Sequence, residues 1–440
     1  MRQELLPENE PPERPPQPLR LAYYTASILV LFILMLGLTN SAMSLTDPLE
    51  KVRLYTRAYE FDYGSWVMKA LGEKIRTGTV SPAGYLDASS QHKLVYDYLF
   101  LVDLEFRFER EIRAKYADPS ISDPAAATQD AQARLDRITA QANALQPLAE
   151  DVLQQQVSAV AAEMGLTALG QPFPPVLYHV TPLPMAVIVS PREKIEQIAN
   201  VSITAELPLA EITRLEGDID KGLDFSSLIV PVGGVGVYPT MVNRTTDLSW
   251  LAEVIAHEWT HNHLTLRPLG ILYEKDGGSR DINETTASIV GKEIGERVIE
   301  RFYPELAPRR PDPAPFDELY PGMPHGPDGR PAFDYRAAMR ETRVRADELL
   351  AQGKIAEAET YMDSRRQVFF DNGYSIRKIN QAYFAFYGAY ADAPGGGSAG
   401  KDPVGAAVRI VRAQSVTLAE FVHRMQRLTD YSQLEAIAYP

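Results

Sequence analysis

The chain has 440 residues, 45% of them hydrophobic and 23% charged, with a formal net charge of −14 and no cysteine. The acidic balance argues against a nucleic-acid partner, because phosphate binding needs a basic surface. Without cysteine there are no disulfides, thiolate metal sites or cysteine nucleophile, so any metal must be held by His, Asp or Glu.

Residues 1–20 contain six prolines and four glutamates, the composition of a disordered tail. Residues 21–38 read LAYYTASILVLFILMLGL, and no charge falls between Arg20 and Asp47. A bilayer-crossing helix needs about 20 mostly apolar residues. Residues 21–39 are therefore expected to form one transmembrane helix, with Tyr23 and Tyr24 at an interface. A cleaved signal peptide is the competing reading, but the long proline-rich leader suits a cytoplasmic tail better. Flanking positive charges favour the tail inside and the large domain outside. The expectation is a single-pass membrane protein with an extracytoplasmic catalytic domain.

Beyond the apolar stretch, residues 45–170 read as a helical scaffold. Helical periodicity predicts one helix over 47–76, a second over 90–116 and a third over 125–165. At Gln171 the texture changes. QPFPPVLYHVTPLPMAVIVSP has β-branched and alternating apolar residues between prolines, and LIVPVGGVGVYPTMV (228–242) reads as a strand pair bent at its glycines. Residues 303–335 form a proline-dense irregular loop. The helical pattern returns over 335–390 and again from 403 to 428. Between them GGGSAGK (395–401) imitates a P-loop, but Asp402 stands where Ser or Thr should bind magnesium, so it reads as a flexible break.

The candidate site is EVIAHEWTHNH at 253–263, which holds three of the seven histidines of the chain. His257-Glu258-Trp259-Thr260-His261 fits the H-E-x-x-H zinc pattern. Residues four apart lie on one helix face, so both imidazoles reach one tetrahedral ion. The glutamate beside the first ligand reaches a water on that ion, whose pKa the metal lowers, and takes its proton. The helix this requires is signalled by Asp247 or Ser249 as a cap and by Leu248, Leu251, Val254, Ile255 and Trp259 as a stripe. His263 points to the other side and reads as a non-ligand. A catalytic zinc needs a third protein ligand. DINETTASIVGKEIGERVIERF follows, in which Glu284 is either that ligand or the capping-box partner of Asp281. Ala287, Ser288, Gly291 and Gly295 share its face and would let the two helices approach closely. For an oxyanion donor, Tyr383 and Tyr387 share a helix face, although an aromatic core stripe explains them as well. Tyr238 and its neighbours, Gly236 among them, are positioned to pair with an extended substrate.

HEWTH followed by NETTAS resembles the gluzincin metallopeptidases and, more narrowly, a family of bacterial aminopeptidase-like proteins. The firm part of this resemblance covers residues 228–300. It implies His257, His261 and Glu284 as zinc ligands and Glu258 as general base. The glycine-rich strand before the motif, Gly233 to Tyr238, matches as well. Two departures stand out: Asn380-Gln381-Ala382 replaces an Asn-Asn-Ala element, and Ser288 stands where many gluzincins orient a histidine with aspartate. Asp281 or a backbone carbonyl is the expected substitute.

The resulting expectation is an α+β, mainly helical protein. Its zincin-like catalytic region over 171–440 would pack a small sheet on the HExxH helix, with one N-terminal transmembrane helix. The function expected is zinc-dependent hydrolysis of peptide or protein substrates. The rival is a zinc-binding or structural membrane-anchored protein that keeps such a fold without turnover.

Overall fold

The computed structural model describes residues 28–29, 46–78, 82–117, 121–205, 207–273, 277–307, 333–372, 374, 376–388 and 403–440. The chain divides into two units, Met1–Ala42 and Met43–Pro440. In the first, only Ile28 and Leu29 are described, both helical. All that follows concerns the second.

The helix expected over 47–76 is two helices. Asp47 caps α1 (Pro48–Thr56), and α2 (Tyr63–Gly78) follows after a break. The break has a tertiary cause. Phe61 N–H donates to Ser202 O at 2.9 Å and Thr204 N–H to Tyr59 O at 2.7 Å, so this segment lies along the strand Ala199–Ile203. The next two helices are long: α3 (Ala88–Ala117) and α4 (Pro124–Glu163) pack along each other, and α4 runs through Pro147.

Two three-stranded sheets follow. In the first, β2 (Met185–Pro191) lies between β3 (Ala199–Ile203) and β4 (Phe225–Pro231), all antiparallel, with α5 (Leu209–Leu223) between β3 and β4 in sequence. β2 buries both faces. Ala186 and Ile188 enter one core and Val187 and Val189 another, as the two-residue strand period dictates. In the second sheet, β6 (Thr240–Val242) pairs parallel with β1 (Tyr178–Val180) and antiparallel with β5 (Gly234–Val235), which forms one edge. β5 and β6 pack on α6 (Leu248–Leu264), the HExxH helix. A short turn of helix, α7 (Pro268–Ile271), leads to α8 (Gly277–Phe302). The helices α9 (Tyr335–Ala351), α10 (Ile355–Asp371) and α11 (Gln381–Tyr387) come next, and α12 (Pro403–Gln414), α13 (Leu418–Met425) and α14 (Tyr431–Ala438) end the chain.

The largest core joins α3, α4, α6 and α8 to the C-terminal helices, around Leu153, Val157, Leu251, Trp259, Val298 and Phe421. A second core lies between the first sheet and α9–α11, around Ile188, Leu228, Met362, Phe369 and Phe384.

One expectation is corrected here. The protein is mainly helical with small sheets, but among the described residues no helix is long and apolar enough to cross a membrane. The two longest helices show why. Asp97, Asp103, Glu105 and Arg107 punctuate α3, and Asp130, Arg134, Asp136 and Glu150 punctuate α4; charges at such density are costly in hydrocarbon. The transmembrane helix, the single-pass localisation and the extracytoplasmic placement are accordingly not carried forward. Residues 21–39, on which they were based, lie outside the described residues apart from Ile28 and Leu29. The loop between 308 and 332, with His325, and the 395–401 segment lie outside them too.

Candidate metal centre

The site begins with a capped helix. Asp247 accepts from Trp250 N–H at 3.0 Å and starts α6, satisfying a donor that would otherwise be left unpaired. One side of α6 is fixed away from the site. Trp259 Nε1 donates to Pro174 O at 2.8 Å, and His263 Nδ1 lies 2.8 Å from Phe173 O. Burial pushes the His263 imidazole down to about 4. It is thus a neutral structural group, as its position on the helix implied.

The other side faces α8, and the two helices touch at glycines. A Cβ at Gly291 would fall 2.9 Å from Glu253 O and 2.9 Å from the His257 Cβ; one at Gly295 would fall 2.9 Å from the Glu253 Cα. Ala287 and Ser288 are buried in the same seam. This closeness brings Glu284 across to the two histidines. Because α8 starts at Gly277, Asp281 and Glu284 lie inside the helix and not at its cap, so the capping-box alternative for Glu284 does not apply.

His257 Nε2 and His261 Nε2 are 3.1 Å apart, and Glu284 Oε2 is 3.6 Å from each. That oxygen is buried and accepts no hydrogen bond. Zinc bonds of about 2.0–2.2 Å in tetrahedral array separate their ligand atoms by about 3.3–3.6 Å. The two Glu284 distances match this and the distance between the histidines is slightly shorter, so the donor set has the right elements close to the right spacing for such an ion. A buried carboxylate oxygen of this kind needs a cation beside it. Burial alone would push the Glu284 carboxyl up, but the charge of His261 outweighs it and holds the group well below its usual range. Burial likewise opposes a charge on His261, yet Glu284 carries the imidazole up to about 9.

Glu258 lies beside this cluster and is buried. Burial raises its carboxyl above the usual range, Glu284 adds to the rise, and the two histidines oppose it. The edge strand crosses directly over it. A Cβ at Gly234 would fall 2.5 Å from Glu258 Oε1, and one at Gly236 would fall 3.0 Å from the His261 Cβ and 3.4 Å from Glu258 Oε2. Glycine is what lets the backbone come this close. Tyr238 is placed differently. It is buried, and its hydroxyl donates to Pro175 O at 3.0 Å, which makes it part of the support beneath the strand.

Tyr383 belongs to the second core, while Tyr387, one turn on, is exposed. The Tyr383 hydroxyl is 3.2 Å from that of Tyr335, and the Tyr383 and Tyr387 rings meet tilted, with centroids 4.6 Å apart. The residues around them do structural work as well: Asn380 caps α11 by accepting from Tyr383 N–H, and Gln381 donates to Arg192 O at 2.8 Å.

Two residues reach the centre that sequence reasoning did not select. Asn283 is buried, and its Oδ1 lies 2.8 Å from His261 Nδ1. It takes the orienting role for which Asp281 or a backbone carbonyl stood as candidates. Its place immediately before Glu284 was the available signal. Tyr273 donates its hydroxyl to Glu284 Oε1, and its ring meets that of His261 edge-on at 5.8 Å. No pattern in the sequence marks it.

Compared with protein-family models, curated proteins and solved structures, the chain gives no match.

Proposed function

We propose that the protein is a zinc-dependent peptidase of the HExxH type, with His257, His261 and Glu284 as ligands and Glu258 as general base. The observation that carries this reading is Glu284 Oε2, buried without a hydrogen bond and equidistant from two facing imidazole nitrogens. A zinc ion bound there supplies Lewis acidity, polarising a peptide carbonyl and bringing a water's pKa towards neutrality. Glu258 takes up the proton at its carboxylate and returns it to the departing amine. The carboxylate is buried beside the two histidines and under the edge strand, within reach of a water held there. The resemblance of HEWTH and NETTAS to the gluzincins supports the same assignment, with the aminopeptidase-like family as its narrower form.

The substrate is an extended peptide or protein segment. β5 is a sheet edge lying over Glu258, and a sheet edge pairs with an extended chain through backbone hydrogen bonds. Gly236 presents no side chain to obstruct it.

The test is metal content followed by turnover. The full chain, purified without chelator, is expected to hold one zinc, and Glu284→Ala to lose most of it. Glu258→Gln is expected to keep the zinc and lose hydrolysis of a peptide library. A folded wild type that takes up no zinc would overturn the proposal. Zinc without any hydrolysis, in wild type and Glu258→Gln alike, would leave a metal-binding protein in its place.

A further inference from the structure

Glu284 has two oxygens, and the fold treats them differently. Oε2 faces the histidines, while Oε1 accepts from the Tyr273 hydroxyl. Tyr273 lies just beyond α7, its N–H bonded to Gly270 O at 3.2 Å. That turn is pressed on the end of α6: a Cβ at Gly270 would fall 2.1 Å from Leu264 O. Leu269, within the same turn, is fully buried, and its carbonyl accepts from Asn283 Nδ2 at 3.3 Å. Holding the Asn283 amide by its nitrogen leaves Oδ1 for His261 Nδ1. One short turn therefore addresses two of the three candidate ligands, His261 through Leu269 and Asn283, and Glu284 through Tyr273.

We infer that Tyr273 is a positioning residue of this centre: its phenol occupies Glu284 Oε1, so that Glu284 binds metal through Oε2 alone. The inference rests on the reading of His257, His261 and Glu284 as metal ligands. A carboxylate with both oxygens available can bind through one or both. Binding through both would raise the coordination number and use up the open position that a catalytic zinc keeps for substrate. A hydrogen bond to one oxygen removes that choice and fixes the plane of the carboxylate. Outer partners of this kind typically alter metal affinity by about 10–100-fold.

The experiment compares the full chain with Tyr273→Phe, which keeps the ring against His261 and removes only the hydroxyl. Two readouts are taken on metal-free protein refilled with a single ion. Zinc affinity, measured by competition with a chromogenic chelator, is expected to fall about 10–100-fold. Cobalt(II), which reports coordination number through its visible absorption, is expected to give intense four-coordinate bands in wild type and weaker bands in Tyr273→Phe. Tyr273→Gln removes the ring but keeps an N–H donor, and it is expected to retain the four-coordinate spectrum. Wild-type affinity and spectrum in Tyr273→Phe would overturn the inference. So would a four-coordinate spectrum kept by Phe and lost by Gln, which would assign the effect to the ring. A folded wild type that binds neither zinc nor cobalt fails at the earlier step, the metal reading itself, and is recognised without any Tyr273 variant.

Discussion

Glu150 and Glu284 are both carboxylates buried beside histidines, and their surroundings differ. Glu150 of α4 is saturated. Its Oε1 accepts from Val180 N–H and from Gln146 Nε2, both at 2.8 Å, and lies 3.2 Å from His179 Nδ1, while its Oε2 pairs with Lys74. Glu284 of α8 accepts one hydrogen bond at Oε1 and leaves Oε2 facing two imidazole nitrogens. Both are almost wholly buried, at 1% and 3% exposed. A buried polar group is costly unless it is satisfied. Glu150 satisfies itself within the fold and fastens β1 to the helical scaffold. Glu284 has the charge of His261 near it but no hydrogen bond at Oε2, and that oxygen is what directs attention to a ligand.

The contrast can be tested, starting from the largest effect. If the Glu284 cluster is catalytic, Glu258→Gln should lower turnover by about 10²–10⁴-fold, the usual contribution of a general base, while zinc content measured by atomic absorption stays unchanged.

Glu150→Gln should cost about 3–5 kcal/mol in denaturant unfolding, because it leaves the Lys74 charge buried without its partner. Glu284→Gln in metal-free protein should cost clearly less, since His261 can then release its proton. Equal costs would erase the distinction between the two sites. The Glu150 contribution also has a pH signature. Burial pushes its carboxyl up, but Lys74 and His179 outweigh burial and hold it at about 2. A group whose folded pKa is depressed stabilises the fold above its unfolded pKa, about 4.3 for glutamate. That stability is lost as the pH falls from there towards 2. Thermal melts across this window should decline more steeply for wild type than for Glu150→Gln.

Asn283→Ala should weaken zinc by about 10–100-fold through loss of the His261 partner, read by chelator competition, with little change in turnover once zinc is saturating. Last, Gly295→Ala should destabilise the fold by about 1–3 kcal/mol through overpacking, because the added methyl meets the backbone at Glu253. The same change at Gly217, whose Cβ would meet nothing within 4 Å, serves as the control.

Much of the centre was written locally. The i,i+4 spacing of His257 and His261, the Asp247 cap and the apolar stripe all act within one or two turns, so periodicity and capping chemistry expose them. Glycine spacing on α8 foretold the close helix approach. Other features have partners far away in sequence. Residues 57–62 carry helical periodicity, but the edge of β3, about 140 residues on, takes up their backbone. The start of α8 at Gly277 runs against glycine's low helix propensity, and it moved Asp281 away from the cap. Tyr383 and Tyr387 share a helix face as the spacing predicted, yet their described partners are those of the second core.

The sequence by itself determined which residue types stand together on one helix face, because that depends only on the geometry of 3.6 residues per turn. It also excluded thiolate chemistry outright. The tertiary structure alone decided that Glu284 crosses to those histidines, that Asn283 meets His261 and Tyr273 meets Glu284, and that β5 lies over Glu258. These are contacts between elements separated by a turn or a sheet, and their distances follow from how the helices and strands pack, which no local pattern encodes.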